Sequence, residues 1–282
     1  MNLVDTILRS ATHLPPFPEV VHRVLQVMED PKASSHDVVE VIQYDQAITA
    51  NVLRVCNSAY FGLRNPVLSL GEALIRIGFN HLVEIVLTRG TAPLFSQACQ
   101  GYQLMAGELW RHSVACALLS EILVARLKRK KAPVQFTTAL LHDVGKRVLS
   151  EFVKDGFEEI QRLVQEKNLS FLEAEKEVLG IDHAELGGRI AELWKFPPDI
   201  IAGIRFHHTP LLASEFCDLV SLVHLCDIVA LMTGVGGGAD GLSYHCYKGV
   251  MKQYGLREKD LEGVISDLAS GMKRVEEIMN LR

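Results

Sequence analysis

Apolar residues recur at intervals of three and four along most of the chain, which is the spacing of one face of an α-helix. Between Val20 and Met28 the apolar residues fall on one such face, and Asp30-Pro31 ends the run. The same spacing follows at residues 38–42 and 48–55. No segment alternates apolar and polar residues over the length of a strand. The pattern therefore predicts an all-α chain of more than ten helices, with no sheet of three or more strands.

Capping residues and glycines predict where these helices begin and end. A serine followed three residues later by an acidic residue, the spacing of a capping box, occurs at Ser34 to Asp37, Ser69 to Glu72 and Ser170 to Glu173. Glycines are expected to close helices at Gly78, Gly145 and Gly180. Further helices are predicted from about Leu104 to Leu127, from Pro133, from Pro197-Pro198, from about Glu215 to Met232, and from Glu258 to Leu281.

A glycine-rich segment follows the Glu215–Met232 helix. It reads Gly-Val-Gly-Gly-Gly-Ala-Asp-Gly from Gly234 to Gly241. It lacks the Lys-Ser/Thr of a phosphate-binding loop and no strand precedes it. The composition therefore predicts a flexible loop.

Composition and charge exclude several classes of protein. The 282 residues are 48% apolar and 22% charged, the balance of an ordinary globular protein, which excludes wholesale disorder and a collagen-like chain. The net charge is −5 and neither sign is concentrated in one half of the chain. Nucleic acid is therefore disfavoured as a main partner, since a duplex-binding protein usually presents a basic face.

The sequence predicts a cytoplasmic protein with no membrane partner. Asp5 lies early and no apolar run precedes His13, so no signal peptide is expected. The most apolar stretch, Leu219 to Val235, contains a histidine and an aspartate and is short for a bilayer span. Six cysteines include no C-x-x-C pair, which is typical of buried thiols in a reducing compartment.

Histidines and aspartates are the candidate ligand-bearing residues. Imidazole and carboxylate suit iron, manganese, zinc or nickel. Taken singly, each has an ordinary structural explanation: His142 could be a helix cap, and His207-His208 an exposed helix terminus. Asp227 in an apolar helix requires either a metal or a partner, which His224 one turn earlier could supply. The full candidate set is His112, His142, Asp143, His183, His207, His208 and Asp227.

The order, adjacency and spacing of these seven residues resemble the HD superfamily of metal-dependent phosphohydrolases, whose pattern is H…HD…H…HH…D on a helical scaffold. The resemblance implies that all seven bind a divalent transition metal, with iron or manganese favoured and room for two ions. In that arrangement Asp143 bridges the ions. The first position is completed by His112, His142 and Asp227, and the second by His183, His207 and His208.

A hydrolytic mechanism would follow from such a pair. Water between the ions would be acidified and would attack a phosphoryl centre. Lys146, three residues after Asp143, could hold a phosphate oxygen or protonate the leaving group. The alternative for Lys146 is a solvated lysine after the Gly145 stop. Asp143 and Lys146 are thus the candidate catalytic residues.

The part of the chain before this set sharpens the resemblance. Four segments look like the N-terminal half of the HDOD family, the HD-related output domain: residues 14–18, 44–47, 53–62 and 73–78. The resemblance covers about residues 10 to 235 and implies an N-terminal helical bundle, residues 1–105, packed on an HD-like bundle with a C-terminal helix, residues 106–282. Family members are generally bacterial signalling or regulatory modules, often with degenerate metal ligands. A protein signalling partner is therefore implied.

This sequence departs in two ways from the families that it resembles. It keeps the full ligand set, which HDOD proteins often lose. It also lacks the acidic residue and Gly-Tyr-Pro segment of the related HD-GYP family, since His208 leads into Thr209-Pro210-Leu211-Leu212. Cleavage of cyclic di-GMP is therefore not expected. A regulatory module is favoured, and the alternative is a phosphohydrolase acting on a nucleotide or another phosphate ester.

A second candidate surface lies near a predicted helix end. Asn57, Ser58, Tyr60 and Phe61 offer polar and aromatic groups for a docking or lid region. The alternative is that Tyr60 and Phe61 are core anchors.

Overall fold

Fourteen α-helices make up the part of the chain that the computed structural model describes, which is residues 2–30, 32–58, 61–129, 133–241, 244 and 248–279. No strand occurs among these residues, and the isolated β-bridge there joins Cys99 to Leu104. The prediction of an all-α chain with more than ten helices is confirmed.

One compact unit comprises residues 16–93 and 269–282. Its helices are α2 (Glu19–Glu29), α3 (Ser35–Ile42), α4 (Gln46–Cys56) and most of α5 (Leu70–Phe95). The predicted capping box at Ser34 is present, since the Asp37 carboxylate accepts from the Ser34 backbone N–H. The apolar face predicted for α2 is buried through Val21 and Val24. The hydrophobic spacing therefore fixes which face of each short helix packs inward.

Gly78 interrupts α5. Its φ of 82° and ψ of 166° are non-helical, and a positive φ is a conformation that glycine adopts without steric cost. The chain re-enters a helix immediately and continues to Phe95. The predicted end of a helix at Gly78 is thus present as a break inside a longer element.

Asn57, in the proposed docking region, forms hydrogen bonds that stabilise the fold. Its side chain accepts from the Val67 N–H at 2.7 Å and donates to the Val67 carbonyl at 2.8 Å. These bonds tie the end of α4 to the segment before α5. Phe61 packs edge-on against His81, and Tyr60 lies outside the described residues. The docking role remains a prediction.

The second compact unit comprises residues 1–15 and 94–268. It contains ten helices, the last of which runs past Leu268: α1 (Leu3–Ala11), α6 (Glu108–Arg126), α7 (Pro133–Leu141), α8 (Lys146–Lys167), α9 (Phe171–Leu179), α10 (His183–Leu193), α11 (Pro198–Phe206), α12 (Cys217–Met232), α13 (Lys248–Gln253) and α14 (Glu258–Met279). Helix α6 begins later than the predicted Leu104, because Leu104 pairs with Cys99 and Gly107 starts the helix at a φ of 84°.

Helix α12 lies in the core of this unit. It packs against α6, α7 and α11, and its residues from Val220 to Leu231 are all buried. A helix that is apolar on every side is a core helix rather than a surface one. None of the helices in the described parts of the chain is both long and apolar enough to cross a bilayer. The polar residues of α12 are therefore placed deep inside the second unit.

Candidate metal centre

The second unit brings all seven candidate residues together. They come from five places: the second turn of α6, the end of α7, the start of α10, the end of α11 and the middle of α12. None is more than 8% exposed. His207 and His208 are therefore not at an exposed helix terminus, and Asp227 is not an isolated residue of the core. The residues that converge are His112, His142, Asp143, His183, His207, His208 and Asp227.

Their ligand atoms fall into two groups, each with all atoms within 4.8 Å of one another. The first group is His112, Cys116, His142 and Asp227, and the second is Asp143, His183, His207 and His208. Apart from Cys116, which joins the first group, and Asp143, which falls in the second, these are the two sets of residues that the resemblance assigns to two ions. Cys116, one turn after His112, was not anticipated, although its place on the same helix face could have suggested it.

Asp143 lies between the two groups. Its Oδ2 is 3.6 Å from His112 Nε2 and 3.5 Å from His142 Nε2. Its Oδ1 is 3.6 Å from His183 Nε2 and 3.7 Å from His207 Nε2. Each carboxylate oxygen therefore faces a different group, which is the arrangement of a carboxylate that can bridge two ions.

Backbone carbonyls orient three of the imidazoles. The Nδ1 atoms of His142 and His207 lie 2.8 Å from the Ala139 carbonyl and 2.7 Å from the Ile204 carbonyl, respectively. The Nδ1 of His112 is 3.0 Å from the carbonyl of Val235. Donation from Nδ1 leaves Nε2 of His142 and His207 as the lone-pair atom that faces the centre, which is the usual tautomer of a metal-binding histidine. The Nε2 of His112 lies 3.1 Å from Asp227 Oδ1, a hydrogen bond that requires a proton on this nitrogen.

His183 is oriented by a buried carboxylate, Glu175 of α9. Glu175 Oε2 accepts from His183 Nδ1 at 2.7 Å and from its backbone N–H at 2.9 Å, while Oε1 accepts from the Tyr102 hydroxyl at 2.5 Å. Sequence reasoning missed this residue. The available signal was its position between Phe171 and Leu179 on the apolar stripe of α9, where a charged side chain requires a partner.

Several polar atoms at the centre have no hydrogen-bond partner among the described residues: Nε2 of His142, Nε2 of His207, Oδ1 of Asp143 and Oδ2 of Asp227. Leaving a buried polar group unsatisfied costs on the order of 1–3 kcal/mol. These unpaired atoms point into two small volumes. A metal ion in each volume would satisfy them. The residues present therefore fit a two-ion site built from imidazole and carboxylate.

The protonation states of His207, His208 and Asp143 suit a metal. Burial holds the pKa of His207 and of His208 well below its usual value, and neighbouring histidines add to this. Burial opposes ionisation of Asp143, but Lys146 and the nearby histidines outweigh it and hold the Asp143 pKa well below its usual value. Neutral imidazole and ionised carboxylate are the forms that bind metals. The pKa values of His112 and His183 are raised instead, because burial opposes their charge but Cys116 and Asp227 outweigh it at His112, as Glu175 does at His183.

The hydrogen-bond partner of Asp227 lies on α6. Its Oδ1 lies 3.1 Å from His112 Nε2, and its Oδ2 lies 3.6 Å from His208 Nδ1. His224, the alternative partner, instead places its Nδ1 2.8 Å from the His207 carbonyl. His224 therefore supports the His207-His208 turn.

Lys146 is buried at 2% exposure and is not the solvated lysine of the alternative interpretation. Its Nζ lies 2.8 Å from Asp143 Oδ2 and 2.7 Å from Asp240 Oδ2. Burial disfavours its charge, but the two carboxylates outweigh burial and hold its pKa well above the usual value. Lys146 is thus a fixed cation beside the bridging carboxylate.

The glycine-rich segment is a loop, as predicted, but it is tied to the centre. The Val235 carbonyl contacts His112, the Ala239 N–H donates to the Tyr102 carbonyl at 2.8 Å, and Asp240 pairs with Lys146. The composition alone did not indicate these contacts, because each one joins the loop to a residue at least ninety positions earlier. Asp240 and Tyr102 are therefore two further residues of the site that sequence reasoning missed.

Comparisons with known proteins support the resemblance. A family model described as the HDOD domain matches residues 14–210. A solved structure of an HDOD domain protein of unknown function from Geobacter sulfurreducens is 25% identical, with 98% of this chain and 97% of that chain covered and a TM-score of 0.71. A Shewanella amazonensis protein provisionally named a phosphohydrolase is 23% identical, with coverage of 96% and 97% and a TM-score of 0.68.

Two longer proteins also match. A Marinobacter aquaeolei protein provisionally named a signal transduction protein is 21% identical, with 99% of this chain and 60% of that chain covered and a TM-score of 0.71. An uncharacterised Treponema pallidum protein is 24% identical over 79% of this chain, which spans only 43% of that relative's length. With a family model that covers most of its length and a matching helical fold, the chain belongs to the HDOD family.

Proposed function

We propose that this protein is a bacterial signalling module whose HD-type centre binds two divalent transition ions. The observation that carries the proposal is Asp143, whose two oxygens face two separate groups of buried ligand atoms. The orphaned atoms of His142, His207 and Asp227 support it, because bound ions would satisfy them.

The ligands are buried and lie on or next to five helices of the second unit, so the ions would enter a largely preformed site. One position would be held by His112, His142 and Asp227, the other by His183, His207 and His208, with Asp143 shared. Iron and manganese remain the favoured ions. When bound, such a pair supplies a water of lowered pKa and positive charge that stabilises a phosphoryl group.

Regulation is favoured over turnover because the centre is closed. The bridging Asp143 is 1% exposed and Lys146 is 2% exposed. A phosphate ester cannot reach either group unless part of the surrounding structure moves. A closed centre suits a module that reports metal or ligand binding to a protein partner, in keeping with the signal transduction name of the Marinobacter aquaeolei relative.

A second candidate function is hydrolysis of a phosphate ester, for which Lys146 is the specific observation. A buried cation beside the bridging carboxylate can hold a phosphate oxygen or give its proton to the leaving group. The phosphohydrolase name of the Shewanella amazonensis relative agrees with this candidate. Cyclic di-GMP is still not the expected substrate, because a 3₁₀ turn at Pro210–Leu212 follows the paired histidines in place of the Gly-Tyr-Pro segment.

Anaerobic loading with Mn²⁺ or Fe²⁺ tests the proposal. We expect each bound ion to raise the free energy of unfolding by about 2.7 kcal/mol when the free metal concentration is a hundred times its Kd, so that two ions together give about 5.4 kcal/mol. Asp143→Ala should lose this gain, whereas Asp267→Asn, at an exposed ion pair with Arg126, should keep it.

Turnover of a panel of phosphate esters by the same samples separates the two candidates. Turnover that disappears in Asp143→Ala would place the hydrolase first. A wild-type protein that folds but gains no stability from either metal would overturn the metal centre.

A further inference from the structure

Lys146 forms ion pairs with two carboxylates that have different roles. Asp143 belongs to the candidate metal centre, whereas Asp240 is in neither group of candidate ligands. Asp240 is fully buried, its Oδ2 lies 2.7 Å from Lys146 Nζ, and that same oxygen accepts from the Tyr244 hydroxyl at 3.0 Å. Its Oδ1 has no hydrogen-bond partner among the described residues. Asp240 is thus a buried anion held on the cation of the site.

The segment that carries Asp240, residues 234–241, is called here the glycine strap. It is shaped to lie against the centre. A Cβ at Gly236, whose φ is 70°, would lie 2.4 Å from His112 Cβ, and a Cβ at Gly238 would lie 2.2 Å from the Tyr102 carbonyl oxygen. Only glycine allows such an approach at these two positions. The strap therefore closes directly over a metal-binding histidine and the residue that bonds Glu175.

The contacts that close the strap are few and polar. Among the described residues they include the His112 bond to the Val235 carbonyl, the Ala239 bond to the Tyr102 carbonyl, the Asp240 pair with Lys146 and the Tyr244 bond to Asp240. The strap contains one Val and one Ala but no larger apolar side chain, so little apolar burial holds it down. The buried Lys146–Asp240 pair is costly to break unless another anion takes the place of Asp240, which a ligand of negative charge would do.

A phosphate group carries the charge and the acceptor oxygens that Asp240 presents to Lys146. The Lys146 ammonium also lies 5.5 Å from the Tyr102 ring centre and 5.8 Å from that of Tyr244, so aromatic faces flank the position. Beside a two-ion centre, that position is where a phosphate group would pair with the lysine.

We infer that Asp240 is an internal stand-in for a phosphate group, which keeps the glycine strap closed until a phosphate-bearing ligand displaces it from Lys146. This inference rests on the proposed metal centre. Displacement exchanges one anion for another, so Lys146 stays neutralised in both states, while the strap leaves His112 and opens the centre.

Inorganic phosphate is the probe for the first test. Titration calorimetry on Mn²⁺-loaded full-length protein should show Asp240→Asn binding phosphate about tenfold more tightly than wild type, because a competing charge is removed. Asp267→Asn is the matched control and should bind as wild type does. Equal or weaker phosphate binding by Asp240→Asn would overturn the inference.

Amide hydrogen exchange tests strap opening without metal. Exchange within residues 234–241 should be faster in Asp240→Asn than in wild type, and Tyr244→Phe should lie between the two because it removes one bond to Asp240. Unchanged exchange in Asp240→Asn would refute the strap on its own. Failure of Mn²⁺ to bind any of these proteins would refute the proposed centre instead, and the exchange comparison would still decide the strap.

A further hydrogen-exchange experiment identifies the source of the phosphate group. A nucleoside monophosphate and inorganic phosphate are compared at equal concentration on the Mn²⁺-loaded wild type. Faster amide exchange in the glycine strap with either ligand supports displacement. The ligand that binds more tightly identifies the source of the phosphate group. No loss with either ligand contradicts displacement.

Discussion

Replacing Glu175 by glutamine should weaken one metal position and spare the other. Glu175 is fully buried and accepts from the His183 ring, the His183 backbone and the Tyr102 hydroxyl. Glutamine keeps the size and one acceptor oxygen but removes the charge. A hydrogen bond to a charged group contributes about 1.5–3 kcal/mol and a neutral one about 0.5–1.5 kcal/mol, so the loss is about 1–2 kcal/mol.

The loss should appear in metal affinity, because a carboxylate behind a histidine fixes its tautomer and raises its basicity. Changing such a partner typically costs about 10- to 100-fold in affinity. Only the position of His183, His207 and His208 is affected, so a two-site titration should become biphasic while the His112 position keeps its affinity.

The assay is anaerobic Mn²⁺ titration of wild type, Glu175→Gln and Glu177→Gln. Glu177 lies on the same helix and is 52% exposed in an ion pair with Lys167, so its substitution should leave both affinities unchanged. If Glu175→Gln binds both ions as tightly as wild type does, the orienting role of Glu175 is refuted. If it loses both ions equally, the division into two positions is refuted.

The remaining predictions concern stability and specificity. Since burial holds the pKa of His207 and His208 well below 6.5, the unfolded chain binds protons that the folded chain does not; metal-free protein should lose up to about 1.4 kcal/mol per histidine for each pH unit below 6.5. Denaturant unfolding from pH 6.5 to 5.5 measures this, His208→Gln should give a shallower slope, and a flat wild-type curve would contradict it. Gly145→Ala should destabilise by about 1–3 kcal/mol, because its Cβ would lie 1.9 Å from the His183 carbonyl oxygen. Gly249→Ala, at a helical site with open space, should stabilise by about 0.5–1 kcal/mol; equal effects in thermal unfolding would refute the steric argument. Metal-loaded protein should not cleave cyclic di-GMP, and cleavage that is lost in Asp143→Ala would overturn this.

Helical elements with clear boundary signals were predictable from the sequence. Helix α9 begins at the Ser170 to Glu173 capping box and ends at Gly180 with a φ of 78°, as its sequence predicts. Helix α8 was not foreseen, because it begins directly after Gly145 with no capping side chain. At Gly145 the sequence predicted the end of one helix and not the start of the next.

The candidate ligands were predictable as a set because their order along the chain resembles a family pattern. The residues around them were not. Tyr102 meets Glu175, and Lys146 meets Asp240, across separations that local spacing does not encode. Their positions follow from tertiary packing, and only a buried charge on an apolar helix face, as at Glu175, hinted at a partner.

The number and spacing of bound ions test the central claim most directly. Wild-type protein and Asp143→Asn are titrated anaerobically with Mn²⁺, metal content is measured after gel filtration, and electron paramagnetic resonance reports whether ions interact. The account predicts two ions per wild-type chain with the spectrum of a coupled pair, and loss of the coupling in Asp143→Asn. One isolated ion, or a coupled pair that persists in Asp143→Asn, would contradict a centre bridged by Asp143.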